Sequence, residues 1–188
     1  MAAPRNAPLH VAFVPGVTPT KWERIWRERR PPGHIYLEPH TQAAALAALT
    51  AGEAHMALLR DVEADDEWHA IQLYRENPVV VAPRGSLVAG LDDLSLAELT
   101  ELGDITVHPV DLIDSDGSDA IELVAANVGV AIMPQSVARA LSRKDVVARP
   151  LRDAPDTSIS LVWPVTGAHP LCNEFIGIVR GRTANSSR

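Results

Sequence analysis

Two stretches of this sequence put small, hydroxylic and amide-bearing residues directly behind β-rich runs: Gly16, Val17 and Thr18, then His40, Thr41 and Gln42. Junctions of this kind, at the carboxyl ends of neighbouring parallel strands, are where open α/β sheets hold ligands. Threonine hydroxyls beside the unbonded amides of a helix start suit an acidic group. The plainer reading is that each threonine only caps its helix. A third stretch, Asp114 to Ser118, offers the same choice. Its Asp and Ser residues could simply satisfy the amide donors and the dipole of a helix start, or Ser115 and Ser118 with those amides could meet a ligand carboxylate. The run also looks like a calcium loop, but the register fails, because Leu112 and Leu123 would stand at the first and twelfth ligand positions.

Other chemistries lack their residues. No G-x-G-x-x-G, P-loop or G-x-S-x-G pattern occurs, which removes the usual warrants for a dinucleotide, a nucleotide phosphate or a hydrolase nucleophile. No catalytic residue and no cofactor is therefore expected. None of the seven histidines forms an H-x-x-x-H pair or stands at ligand spacing from a cysteine, so no metal site is expected. The single Cys172 excludes an intrachain disulfide and reads as a small buried residue in a reducing cytosol. Trp22 and Trp26 lie four apart, on a helix face that is either core or a subunit contact.

The elements that must position these residues alternate regularly. Leu9, Val11, Phe13 and Val14 form a strand ended by Pro15 and Gly16; a helix follows, capped by Thr18 or Thr20, with Trp22, Ile25 and Trp26 inward, stopping at Pro31-Pro32-Gly33. Ile35 to Leu37 reads as a second strand, Thr41 caps an Ala-rich helix running to Gly52, and Met56 to Leu59 is a third strand. This spacing predicts right-handed crossovers and a parallel sheet. Beyond an acidic loop at Glu63 to Glu67, Ile71, Leu73, Pro78 and Val79 to Ala82 suggest an antiparallel or edge arrangement leading into a connector, and Pro83-Arg84-Gly85 reads as a hinge. Ser95 with Glu98 is a capping box. Ile105 to Val110 and Val128 to Met133 read as strands, with a helix carrying Ile121 and Val124 between them. A helix from Gln135, a strand at Ile159 to Trp163 and a last helix at Leu171 to Val179 complete the pattern.

The balance of 24 acidic against 17 basic residues leaves a formal charge of -7, which repels a phosphate backbone, so no direct nucleic-acid binding is expected. No apolar run reaches the roughly 20 residues of a membrane helix, and the first residues lack the pattern of a secretory signal. A cytoplasmic protein without membrane association is the expectation.

In order and content these segments resemble the effector-binding domain of LysR-type transcriptional regulators, from Leu9 to Arg180. LHVAFVPG is similar to that family's first strand and ligand loop, and PHTQAAALAALTAGEAHMALL to its second loop, helix and third strand. ENPVVVAPRGSLVAGLDDLSLAELTEL resembles the crossing into a second lobe, and RPLRDAPDTSISLVWPV the return. IELVAANVGVAIMPQSVARAL is the most specific piece, similar to the family's helix, glycine turn, apolar strand and proline. The resemblance implies an α/β, periplasmic-binding-protein-like (type 2) fold with two lobes, mixed but mainly parallel sheets and a ligand cleft between the lobes. Lobe I would take residues 9–82 and 158–182 and lobe II residues 83–157, with tails 1–8 and 183–188. It implies a small-molecule effector, a carboxylate or metabolite, and a homodimer. The site residues it carries over are Gly16, Val17, Thr18, Thr41 and Gln42 from lobe I, Ser115, Val128 and Gly129 from lobe II, and Pro83 near the hinge. Three departures stand out: His55 where the family has aspartate, Asn127 at a glycine position, and a second lobe with a strand and helix missing between Leu102 and Ser115. Only eight residues precede the first strand, so a domain without the DNA-binding helix-turn-helix is expected. A degenerate dimerisation module, a transport-type binding protein and an enzyme on the same fold are the competing classes.

Overall fold

The computed structural model describes residues 7–30 and 34–181. The expected tail at 183–188, most of 1–8 and the Pro31-Pro32-Gly33 stop lie outside the described residues. The chain divides into two compact units, unit 1 (Met1–Tyr74 and Ser158–Arg188) and unit 2 (Arg75–Thr157).

In unit 1 the alternation of strand and helix produces β1 (Leu9–Phe13), α1 (Thr20–Arg29), β2 (Ile35–Pro39), α2 (Gln42–Ala51), β3 (Met56–Arg60) and β4 (Trp68–Glu76), and the returning chain adds β9 (Thr157–Pro164) and α6 (Cys172–Val179). The sheet order is β2-β1-β3-β9-β4, with β1 parallel to both neighbours and β9 antiparallel to β3. All five residues of β3 are buried, as expected of a strand covered on both faces. Trp26 is 1% exposed and meets Phe175 edge-on at 5.9 Å between ring centroids, so this tryptophan is core and not a subunit contact. Arg30 lies 5.8 Å over the same indole and forks onto Glu174 at 2.9 and 3.0 Å, tying α1 to α6. Neither Thr18 nor Thr20 caps α1, whose cap position is Pro19 without a side-chain bond. The Thr41 cap of α2 and the left-handed Gly52 that ends it are present.

Unit 2 is built on β5 (Pro78–Pro83), α3 (Leu96–Glu101), β6 (Val107–His108), α4 (Ser118–Ala125), β7 (Val130–Pro134), α5 (Gln135–Ala140) and β8 (Val146–Pro150). The sheet order is β6-β7-β5-β8; β5 is antiparallel to both of its neighbours and only β6 with β7 is parallel. Side chains of β5 alternate between two apolar layers, Val79 and Val81 packing with Ile121, Val124 and Val137, and Val80 and Ala82 with Val88, Leu94 and Leu99, the period of two that a strand imposes. The Ser95 and Glu98 capping box is present.

Two expectations change. The first unit ends at Tyr74 and not at Ala82, because the Val79 to Ala82 run is an interior antiparallel strand of unit 2, buried on both faces, and not an edge strand leading out of unit 1. Of the strand expected at Ile105 to Val110 only Val107 and His108 pair, as a short edge strand beside β7.

Candidate functional site

The register Phe13↔Pro39 brings the ends of β1 and β2 level, so the loop Pro15 to Thr18 and the start of α2 emerge side by side at the carboxyl edge of unit 1. His40 N–H donates to the Phe13 carbonyl at 3.0 Å and fixes one loop to the other. Gly16 has φ 88°, the left-handed turn that glycine adopts without cost, and Val17 N–H closes onto the Val14 carbonyl at 3.2 Å. The Val17 side chain is buried in the core, leaving only its backbone to meet a ligand, whereas Thr18 is exposed. Thr41 Oγ1 accepts from Ala44 N–H at 3.3 Å, which leaves its own O–H free to donate. The first amides of α2 have no acceptor within a helix.

Gln42 has a different role from the one expected. Its Oε1 accepts from Arg60 N–H at 2.9 Å and its Nε2 donates to the Arg60 carbonyl at 2.8 Å, so the carboxamide clamps the end of β3. Arg60 in turn is 5% exposed and its Nη2 donates to the Pro15 carbonyl at 3.0 Å. Arg60 therefore joins the ends of three parallel strands, its backbone held by Gln42 after β2 and its guanidinium by the Pro15 carbonyl after β1, and it puts a positive charge behind this edge. Sequence reasoning missed it; the signal was a single cation closing the apolar run Met56 to Leu59.

In unit 2 the corresponding carboxyl edge, after β6, carries the loop before α4. Ser115 Oγ donates to the Asp111 carbonyl at 2.7 Å and accepts from Gly117 N–H at 3.1 Å, so its hydroxyl is committed inside the loop. The cap of α4 is Gly117, φ 82°, and not an Asp or Ser; a Cβ there would come within 3.1 Å of Val110 and 3.2 Å of Leu112. Asp116 accepts from Ser118 N–H, and the Ser118 hydrogen bonds hold its carboxyl below the usual range. Four carboxylates, Asp111, Asp114, Asp116 and Asp119, flank Ser115 in sequence, and they oppose a ligand anion here.

Pro83, Val128 and Gly129 do come together, lining one cavity of about 310 Å³ with Ser86, Leu102 and Thr106. That cavity is not at the carboxyl edge, and Pro83 is not a hinge. The chain leaves unit 1 at Tyr74 and reaches β5 at Pro78, and Gln135 N–H bonds Asn77 O at this end of the sheet. Pro83 is five residues further along an extended strand, about 16 Å away. Because β7 runs antiparallel to β5, the Val128-Gly129 turn before it is also at the far end, while Ser115 is at the near one. Asn127 takes the left-handed conformation, φ 62°, in place of the glycine of the related pattern. Gly129 has φ 154°, and a Cβ would lie 2.3 Å from the Thr106 carbonyl.

Among the described residues no group of His, Cys, Asp or Glu is placed to hold a metal, and no helix is long and apolar enough to cross a membrane. Fold and edges together define a two-unit α/β ligand-binding domain of the periplasmic-binding-protein-like type 2 class. The family described as LysR substrate binding domain matches residues 6–112 and 109–184, and the chain belongs to that family. Among solved structures it is similar to the BenM effector binding domain with its effector benzoate, at 16% identity and TM-score 0.74, covering 93% of this chain and 90% of that one. The reduced OxyR regulatory domain from Pseudomonas aeruginosa matches at 15% identity and TM-score 0.72, covering 94% and 95%. CbnR, a LysR family transcriptional regulator, matches at 18% identity and TM-score 0.71, with 95% of this chain covering 71% of that one. No curated protein matches the chain in sequence.

Proposed function

We propose that this chain senses a small-molecule effector for a LysR-type regulator, and that it reads an acidic group of that effector at the carboxyl edge of unit 1. The observation that carries the assignment is the convergence at one edge of the Pro15 to Thr18 loop, the Thr41 start of α2 and the buried Arg60 that joins them. The binding groups are the backbone N–H of Gly16, the hydroxyls of Thr18 and Thr41, and the first-turn amides of α2, with the helix dipole and Arg60 supplying positive potential; Val17 N–H, given to the Val14 carbonyl, shapes the loop instead. At the start of α4 the committed Ser115 hydroxyl and its neighbouring carboxylates disfavour an anion, so the acidic group is assigned to unit 1. In this reading the chain works in the cytoplasm as one subunit of a homodimer and makes no nucleic-acid contact of its own. Thermal denaturation with benzoate, other small aromatic and aliphatic carboxylates, and their neutral amides tests it. A carboxylate at one hundred times its Kd should stabilise by about 2.7 kcal/mol, a rise of roughly 5–10 °C for a chain of this size. No stabilisation by any carboxylate, or an undiminished response after Thr41→Val, would sink the reading.

A further inference from the structure

The cavity at the far end of unit 2 is left without a role once the acidic group is assigned elsewhere. Its volume of about 310 Å³ is at the lower bound for small-molecule pockets. Its walls are largely apolar, including Leu102, Ile105 and Val130, with Thr106 and Asn127 also among the lining residues. At its mouth Leu87 and Val128 are 70% and 52% exposed, large apolar surfaces that a bound molecule would cover. One wall is the Asn127 to Gly129 turn, which runs so close to the Thr106 backbone that Gly129 has no room for a Cβ.

The charged group among the lining residues of this cavity has a definite sign, while Ser86, Thr106 and Asn127 can each donate or accept. Ser86 Oγ is buried behind the wall without a hydrogen-bond partner, and a hydroxyl, able to donate or accept, sets no sign. The Asp104 carboxylate stands at the rim, and no lysine or arginine is among the lining residues. An open, largely apolar cavity whose charged lining residue is a carboxylate is complementary to an alkyl or aryl group bearing an ammonium. It is not complementary to an anion.

We infer that this cavity is a second ligand site, selective for small apolar amines. The amine lies with its apolar body between Leu87, Leu102 and Val128, its ammonium meeting Asp104. The site is on the opposite end of the unit 2 sheet from the loop before α4, so it is a separate locus from the edge that begins that helix.

Titration with 2-phenylethylamine, 2-phenylethanol and phenylacetate, followed by amide chemical shifts in the nuclear magnetic resonance spectrum, tests the inference. The amine should give saturable shifts at Ser86, Leu102 and Val128 in the millimolar range, the alcohol weaker ones, and the acid none. Asp104→Asn, at an exposed position, should weaken the amine about threefold to fivefold, the value of a solvent-exposed charge pair. Val128→Phe, which fills the mouth, should abolish the shifts. Absence of saturation, equal binding of acid and amine, or amine binding indifferent to Asp104→Asn with shifts elsewhere would overturn it.

Discussion

Acidification should destabilise unit 1 through a histidine cluster, and one residue carries most of the effect. His55 lies between two other imidazoles, 4.3 Å from His169 and 5.6 Å from His10 by ring centroid, and Tyr36 stacks on the far side of His10 at 4.9 Å. Its Nδ1 accepts from the backbone N–H of His10 at 3.0 Å, and its backbone N–H donates to the His10 carbonyl at 2.9 Å. An imidazolium donates from both nitrogens, so a proton on Nδ1 would face another donor. Burial, and then the charges of His169 and His10, push His55 from 6.5 down to about 4. His169, whose Nδ1 accepts from Leu171 N–H at 3.2 Å, is lowered too, first by burial and then by His10.

The folded protein thus holds His55 neutral where the unfolded chain would protonate it. The contribution is present above pH 6.5 and is lost as the pH falls from 6.5 toward about 4. At 1.36 kcal/mol per pKa unit the gap corresponds to about 3.4 kcal/mol. His55 is partly exposed, and solvent screening reduces this to about 1.5–2 kcal/mol, a substantial part of a typical domain stability of roughly 5–15 kcal/mol. Urea unfolding of wild type and His55→Asn at pH steps through this window isolates the contribution, since the carboxamide oxygen can take the His10 hydrogen bond without titrating. The wild-type stability should fall about 1.5–2 kcal/mol further than that of the variant. Parallel curves, or an imidazole that titrates near 6.5 by nuclear magnetic resonance, would refute the reasoning.

Two further substitutions test the geometry of the two edges. Gly129→Ala forces a Cβ to 2.3 Å from the Thr106 carbonyl at φ 154°, and should cost about 2–4 kcal/mol in chemical denaturation; a loss under about 0.5 kcal/mol would mean that the turn is free to move. Gln42→Leu removes both bonds to the Arg60 backbone and should cost about 1–3 kcal/mol. It should also weaken any stabilising carboxylate by slackening the tie between the loops, and an unchanged response would separate Gln42 from the site.

How much of this was legible follows from what a linear pattern encodes. The β1, α1, β2, α2, β3 succession was readable because Thr41, Gly52 and the apolar run Met56 to Leu59 each act through neighbours in sequence. The Ser95-Glu98 capping box is local in the same way. The role of Gln42 was not readable: its partner is 18 residues away, and a polar residue after a cap looks the same whether it faces a ligand or clamps a strand. The extent of unit 1 was misjudged because Val79 to Ala82 has no alternation, and a strand buried on both faces does not reveal which sheet owns it. Val128 and Gly129 were grouped with the other junctions on resemblance, but a turn that precedes a strand is at the opposite end from a loop that follows one.

The same polarity argument decides which chemistry each edge can hold. Parallel strands deliver their loops, and the positive ends of the following helices, to one edge, so a ligand anion has two places to go, before α2 and before α4. The two differ by the charge that the sequence put beside them. Before α2 stand Thr41 and the buried Arg60, with Glu38 the one acid in the stretch 35–41, against Asp111, Asp114 and Asp116 in the matching stretch 111–117 before α4. Before α4 the Asp111 and Asp116 carboxylates already take backbone amides of their own loop, at 2.7 Å to Ile113 and 2.9 Å to Ser118. A second anion there would compete with these carboxylates for the same donors and be repelled by them as well. Neutralising Asp114 and Asp119 to Asn should therefore leave carboxylate binding at unit 1 unaffected, whereas Thr41→Val should weaken it; equal sensitivity to both would place the acidic group before α4.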